Sequence, residues 1–405
     1  MRTARRRNDG WTAGAAAMLL LLAACSTGAD PEAGPVAMPA SQSASSEPAA
    51  PTHSAHGGKA EGRRAPLRPG ERVVDVAMPS PYTPSAPGQG ADDYRCFLLD
   101  PKVATDSFVT GVDVAPGNEA VVHHVILFRV PPGQVAAART VDKSAPGEGW
   151  TCFGGAGLEE TGGTLEDAPW LGAWAPGSGE RLLPGDIGIP LEAGSRIVMQ
   201  VHYNLLAGTE PDLSSARLRI ADGSRELEPL ETTLLPAPVE LPCRPGVKAP
   251  LCDRDAAVSD VMDRFGMRAG QMVAGLQFLC GEGRGPRPGN TQSCTRTVQE
   301  PATVRAVAGH MHLLGRSIKI ELNPGRPDAR TLLDIPVWNF DDQGTRPLER
   351  PVRMKPGDKL RVTCTHDQGL RDLLPAFKGQ QERYVVWGEG TTDEMCLGIV
   401  MVTRS

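Results

Sequence analysis

Ala308-Gly309-His310-Met311-His312-Leu313-Leu314-Gly315-Arg316-Ser317-Ile318-Lys319-Ile320 sets two histidines one residue apart and then runs on into alternating apolar and polar side chains. Side chains alternate faces along a strand, so in a β-rich segment His310 and His312 point to the same side, close enough to hold one ion. That is half of a metal site. The chain has eight histidines, at 53, 56, 123, 124, 202, 310, 312 and 366. His123 and His124 lie in Val121-Val122-His123-His124-Val125-Ile126-Leu127-Phe128, and His202 lies in Ile197-Val198-Met199-Gln200-Val201-His202-Tyr203. Both runs are apolar and β-branched, as strands are. Five histidines are therefore expected in strands rather than loops.

Working outward, the short runs 72–78, 107–114, 120–130, 196–205, 216–220, 303–308, 317–322, 359–365 and 384–387 have the same character and are bounded by Pro, Gly and Asp turns. Many short strands at this spacing predict an all-β fold of antiparallel sandwiches. One stretch departs from it. Asp253–Phe265 sets Ala257, Val258, Val261, Met262 and Phe265 on one helical stripe with acids in the first turn, and Gln271–Leu279 can form a second helix after Gly266 and Gly270. A helical hairpin near 253–280, inserted in the second half, is expected.

The N-terminus reads as a targeting segment. Arg2, Arg5, Arg6 and Arg7 precede an apolar run from Ala15 to Leu22, and Leu22-Ala23-Ala24-Cys25 ends it with small residues before a cysteine. The apolar run is shorter than the ~20 residues of a spanning helix. The ending resembles a bacterial lipobox, which implies cleavage before Cys25, lipidation of its thiol, and anchoring to the outer face of a bacterial membrane. Residues 26–70, rich in Ala, Pro, Ser and Gly, are expected to be a disordered tether, and His53 and His56 within it receive no role. The domains that follow are expected at 71–222 and 223–405.

Charge and cysteine content narrow the function. The net charge is −6 and the part expected to fold has no basic block, so nucleic-acid binding has no support. Nine cysteines less Cys25 leave an even eight, as expected for four disulfides in an exported protein. In an antiparallel helix pair Cys252 could reach Cys280, with Cys243–Cys294 closing the base; the local pairing Cys243–Cys252 with Cys280–Cys294 is the alternative, and sequence does not decide between them.

His123-His124, Gln200-Val201-His202-Tyr203, His310-Met311-His312 with Leu314-Gly315, and Asp393-Glu394-Met395-Cys396 occur in the order found in the copper type II, ascorbate-dependent monooxygenases, which the chain resembles. That family includes peptidylglycine α-hydroxylating monooxygenase and dopamine β-monooxygenase. The likeness spans roughly 71–405 without the helical insertion and extends to Tyr94-Arg95-Cys96, Trp174-Ala175 and Pro356-Gly357-Asp358. It implies two jelly-roll-like β-sandwiches in tandem with one copper each. His123, His124 and His202 would hold the first ion; His310, His312 and Met395 would hold the second and carry the catalysis. Disulfides Cys96–Cys152 and Cys364–Cys396 carry over. An ascorbate-like reductant would supply electrons, one atom of O2 would enter a C–H bond of a small substrate, and the other would leave as water.

The donor types agree with that division. A thioether is soft and favours Cu(I), which suits O2 activation, whereas three imidazoles suit storage of one electron. Adjacent His123 and His124 can share one ion only if the strand is bulged or twisted, or if one ring uses Nδ1 and the other Nε2. Gln200 shares a strand face with His202, so a hydrogen bond to the ligand shell is expected. His366 is left outside the ligand set: it is either a group behind the methionine-containing copper or a surface histidine after a disulfide strand. In the peptide-amidating enzymes an arginine two before the H-x-H pair, with Asn and Tyr two and four after the methionine, clamps the peptide carboxylate; here these positions are Ala308, Leu397 and Ile399. A monomeric dicopper monooxygenase without that clamp is the expectation. The rival is a non-enzymatic copper-binding or electron-transfer lipoprotein.

Overall fold

The computed structural model describes residues 65–404 except 87–90, 159–166, 207 and 282. The expected signal segment, Cys25, His53, His56 and most of the expected tether lie outside the described residues. The last residues of that tether, 65–70, belong to the folded body: the Ala65 and Pro66 carbonyls accept from the Arg219 guanidinium, and Arg68 donates to the Leu183 carbonyl.

The first half contains β1 (Glu71–Ala77), β2 (Asp92–Leu99), β3 (Ser107–Ala115), β4 (Val122–Val130), helix α1 (Val135–Ser144), β5 (Trp150–Thr151), β6 (Asp167–Ala168), β7 (Trp170–Trp174), β8 (Arg181–Leu182), β9 (Ile187–Leu191), β10 (Arg196–Asn204) and β11 (Ser215–Asp222). The second contains β12 (Glu228–Pro236), β13 (Glu240–Leu241), α2 (Arg254–Phe265), α3 (Met267–Cys280), β14 (Thr291–Thr297), β15 (Ala302–His310), β16 (Gly315–Leu322), β17 (Arg330–Ile335), β18 (Arg346–Met354), β19 (Lys359–His366), β20 (Val385–Val386) and β21 (Leu397–Thr403). The fold is all-β with a small helical insertion, as the strand spacing predicts.

Three sheets lie wholly within one half each, β5-β2-β10-β4-β7, β14-β19-β16-β17 and the two-stranded β13-β20. A fourth runs through both, in the order β1-β11-β3-β9-β12-β21-β15-β18. The halves join there through the parallel pairing of Ile187–Gly188 with Glu228–Pro229 and the antiparallel pairing of β6 with β12. Strand β10 is buried along seven consecutive residues, which suits its central place between β2 and β4.

Close approach of the sheets in the second half depends on two glycines that pair across β15 and β21, Gly309 with Gly398. A Cβ on Gly309 would sit 2.9 Å from Ile318, and one on Gly398 would sit 3.1 Å from Ile320. Both positions therefore face the β14–β17 sheet. By alternation their neighbours Ala308, His310, Leu397 and Ile399 face the opposite way, into a cavity between the halves.

Helices α2 and α3 confirm the expected insertion, with Asp253 capping α2 by accepting from the Ala256 N–H. The second helix is longer than the Gln271–Leu279 expected. Cysteine pairing follows the local alternative, Cys243–Cys252 and Cys280–Cys294, and the Cys252–Cys280 bridge with Cys243–Cys294 is not formed. The reason lies at the helix end: α3 runs on to Cys280 and brings it against β14, where Cys294 is buried. The remaining bridges are Cys96–Cys152 and Cys364–Cys396.

Gly309→Ala should lower unfolding free energy by about 1–3 kcal/mol, because the new methyl group overpacks Ile318. Urea denaturation measures this, and unchanged stability would show that the sheet separation is not set at this point.

Candidate metal centre

The β10–β4 ladder pairs His202 with His124 and then Tyr203 with Val122, so His123 is the extra residue of a β-bulge. The bulge solves the problem of adjacent histidines without mixing ring nitrogens. All three rings present Nδ1: His123 to His202 is 3.0 Å, His124 to His123 is 3.3 Å and His202 to His124 is 3.4 Å. A point equidistant from the three nitrogens lies about 1.9 Å from each, close to the roughly 2.0–2.1 Å of a metal–imidazole bond. Among the described residues this is the cluster of nitrogen, thiol or carboxylate donors that fits one ion.

The rings are held from behind. His202 Nε2 donates to the Asp92 carboxylate at 2.9 Å, which leaves Nδ1 as the free lone pair. Burial opposes ionisation of Asp92, but the bonds from His202 and from the Thr391 hydroxyl and N–H hold its pKa below the ordinary carboxylate value. Tyr94 stacks on His202 with ring centroids 3.9 Å apart, and Phe340 stacks on His123 at 4.5 Å. Burial, reinforced by the neighbouring imidazoles, pushes the His123 and His124 pKa values well down, so both rings are neutral at physiological pH.

The second group is assembled differently from the strand alternation expected. Strand β15 ends at His310, and His312 lies in the turn beyond it. Their rings are nevertheless close, 5.1 Å apart and nearly perpendicular. The turn is fixed by Glu394, whose fully buried carboxylate accepts from the backbone N–H groups of His312, Leu314 and Met395. His310 Nδ1 bonds the Gln343 side chain at 2.5 Å, leaving Nε2 free. Among the described residues neither buried ring nitrogen of His312 has a partner, as expected of a ring that can take a ligand. Burial lowers the His310 pKa to about 3 with help from His312, and burial also lowers that of His312 against the pull of Glu394.

Met395 is buried and lines the cavity together with His310 and His124. Its sulfur type suits a site that works as Cu(I). The His124 and His310 rings are 5.9 Å apart, so the two groups adjoin.

One sequence expectation changes here, and one open alternative closes. Gln200 faces the cavity as strand alternation requires, but it donates to the Gly155 carbonyl at 2.6 Å and not to a histidine. It fastens the loop after Cys152. His366, left out of the ligand set, is buried with Nε2 3.2 Å from the Met395 carbonyl and 3.4 Å from Glu394, so it braces the loop that carries Met395. Sequence reasoning missed Asp92, Gln343, Phe340 and the bracing role of Glu394. Only Glu394 had a signal, its place beside Met395.

The model for the N-terminal domain of copper type II ascorbate-dependent monooxygenases matches residues 81–210, and that for the C-terminal domain matches residues 290–402. The chain belongs to this family of copper enzymes. All three clustered histidines fall in the first match, and His310, His312 and Met395 fall in the second. The α2–α3 insertion lies between them. No curated protein matches the chain in a sequence search. Among solved structures, the major capsid protein P2 of bacteriophage PM2 is 8% identical over 82% of this chain and 97% of that one, with a TM-score of 0.28. An allantoicase is 11% identical over 73% and 86%, with a TM-score of 0.18. Likenesses of this size carry no argument about fold or function.

Removing the carboxylate behind His202 tests the first group. Asp92→Asn should weaken copper binding there by about 10- to 100-fold and leave the His310 group nearly unchanged. Competition against a copper chelator reads both, and equal affinity in the variant would show that Asp92 does not tune the ring.

Proposed function

We propose that the cavity between the two halves is the active site of a monooxygenase that uses two copper ions, one on His123, His124 and His202 and one on His310, His312 and Met395, with an ascorbate-like reductant. The observation that supports this most is the shared border: His124, His310 and Met395 line one cavity of about 230 Å³. Copper bound at these groups would supply one-electron storage at the three imidazoles and O2 chemistry at the thioether-containing group. The substrate is a small molecule with a reactive C–H bond.

The chain's own part is preparation. Neutral imidazoles offer lone pairs without first losing a proton, and Asp92 and Gln343 set which nitrogen of His202 and His310 is free. The 5.9 Å between the His124 and His310 rings leaves the single electron a short path. Apolar walls, among them Ile126, Phe128, Leu234 and Ile399, keep bulk water from the reacting end. Where the peptide-amidating enzymes carry their carboxylate clamp, this cavity is lined by Ala308, Leu397 and Ile399, so a glycine-extended peptide does not suit it.

Export and a lipid anchor on Cys25 belong to the same proposal. Four disulfides among the described residues support an oxidising compartment.

The copper-loaded protein should hold two ions per chain with type II EPR signals and no intense blue absorption, and should consume O2 when given ascorbate. One ion per chain, or no ascorbate-dependent uptake, contradicts the proposal; copper binding without uptake favours an electron-transfer role. Met395→Ala should lower ascorbate-dependent O2 uptake by about tenfold or more while Cu(II) at the three-histidine group stays within about twofold. Full turnover with unchanged carbon monoxide binding in that variant would make Met395 a core residue.

A further inference from the structure

Arg181, in the two-residue strand β8, lines the same cavity. Among the described residues its only polar contact is a donation to the Met401 sulfur. The adjacent carboxylate, Glu180, is engaged by Arg219 at 2.6 Å. Burial alone moves the Arg181 pKa, down to about 10, so the guanidinium is charged at neutral pH without a counter-ion. A cation kept among apolar walls is costly unless something negative meets it. The cavity's carboxyl group, Glu389, whose pKa burial raises to about 7, lies elsewhere, against Gly154 and with its backbone carbonyl on Tyr94.

The position of Arg181 sets a length. Leu397, Ile399 and Met401 share one face of β21 and all line the cavity, and Leu397 is paired with His310. The cavity thus follows β21 from the His310–Met395 end to the Arg181–Met401 end. The four residue steps from Leu397 to Met401 span about 13 Å. Trp170, Trp174 and Phe128 line the same space and are apolar along most of their surface.

We propose that the cavity takes an elongated apolar substrate, an alkyl or arylalkyl chain with a terminal carboxylate, whose anionic end pairs with Arg181 and whose far end lies at His310 and Met395. The proposal rests on the cavity being the active site. It places the anion one strand pleat beyond Ala308 and Ile399, two of the three clamp positions of the peptide-amidating enzymes, on the side away from His310. A straight chain of roughly ten carbons fits the span.

The test is binding to the copper-free protein, read by quenching of the tryptophans that line the cavity, with decanoate, decanol and decyltrimethylammonium at pH 7.5. Decanoate should bind at least about tenfold more tightly than the other two, because only it forms a charge-assisted pair with the guanidinium. Arg181→Met should remove that preference and leave decanol within about twofold, and Arg181→Lys should restore part of it. Equal affinities for the three probes, no binding of decanoate, or a preference that survives Arg181→Met overturns the assignment. The wild-type comparison decides the question even if a variant fails to fold. Failure here with ascorbate-driven O2 uptake intact rejects the role of Arg181 alone, whereas selective binding without two coppers rejects the active-site reading alone.

Discussion

A carboxylate removed from water must have its oxygens satisfied, and Glu394 meets that requirement with three backbone N–H groups from two separate segments. Two of the N–H groups belong to the turn that carries His312, and the third is that of Met395. One side chain thereby fixes the spacing between parts of the chain some eighty residues apart, where neither strand nor helix could do so. His366 and the Cys364–Cys396 bridge reinforce the same loop. Without this anchoring, the irregular backbone at His312 and Met395 would be held only through His366, the Cys364–Cys396 bridge and the nearby His310–Leu397 pair that ends the β15–β21 ladder.

The same loop is reached from two other directions. Asp393, next to Glu394, accepts from Arg264 of α2 and from Arg383, and these two guanidinium groups outweigh its burial and hold its pKa down to about 2. The helical insertion is therefore a buttress for the loop rather than a decoration. From the first half, Asp92 accepts from Thr391, and the Tyr94 hydroxyl donates to the Glu389 carbonyl. Both residues also touch His202. These contacts beside the histidines join the two halves in addition to the shared sheet, where β9 and β6 pair with β12.

Much of this was legible in the sequence, for reasons that can be named. His123, His124 and His202 stand in β-branched runs long enough to be strands, and the helical stripe beginning at Asp253 is capped and periodic. Local pattern carries such elements. Sequence offers the bulge at His123 as one of three options, and only the ladder register selects it. H-x-H fits strand periodicity and so predicts His312 on a strand, yet the buried carboxylate 82 residues later overrides that local preference. Asp92, Gln343 and Arg181 gave no signal at all, because each owes its role to neighbours that are distant in sequence. Sequence leaves two cysteine pairings around the insertion open for a similar reason: the contact between the end of α3 and β14 that selects Cys280–Cys294 is tertiary.

Nδ1 is separated from the backbone by fewer bonds than Nε2, and all three clustered rings turn that nearer nitrogen inward. Ligands on such short arms, two of them further pinned by aromatic stacking, cannot swing far. A copper ion held this way, as proposed, would find nearly the same surroundings before and after gaining an electron. Electron exchange is faster when little nuclear rearrangement accompanies it, so in that role the β-bulge at His123 would lower reorganisation energy, with one extra residue in a strand.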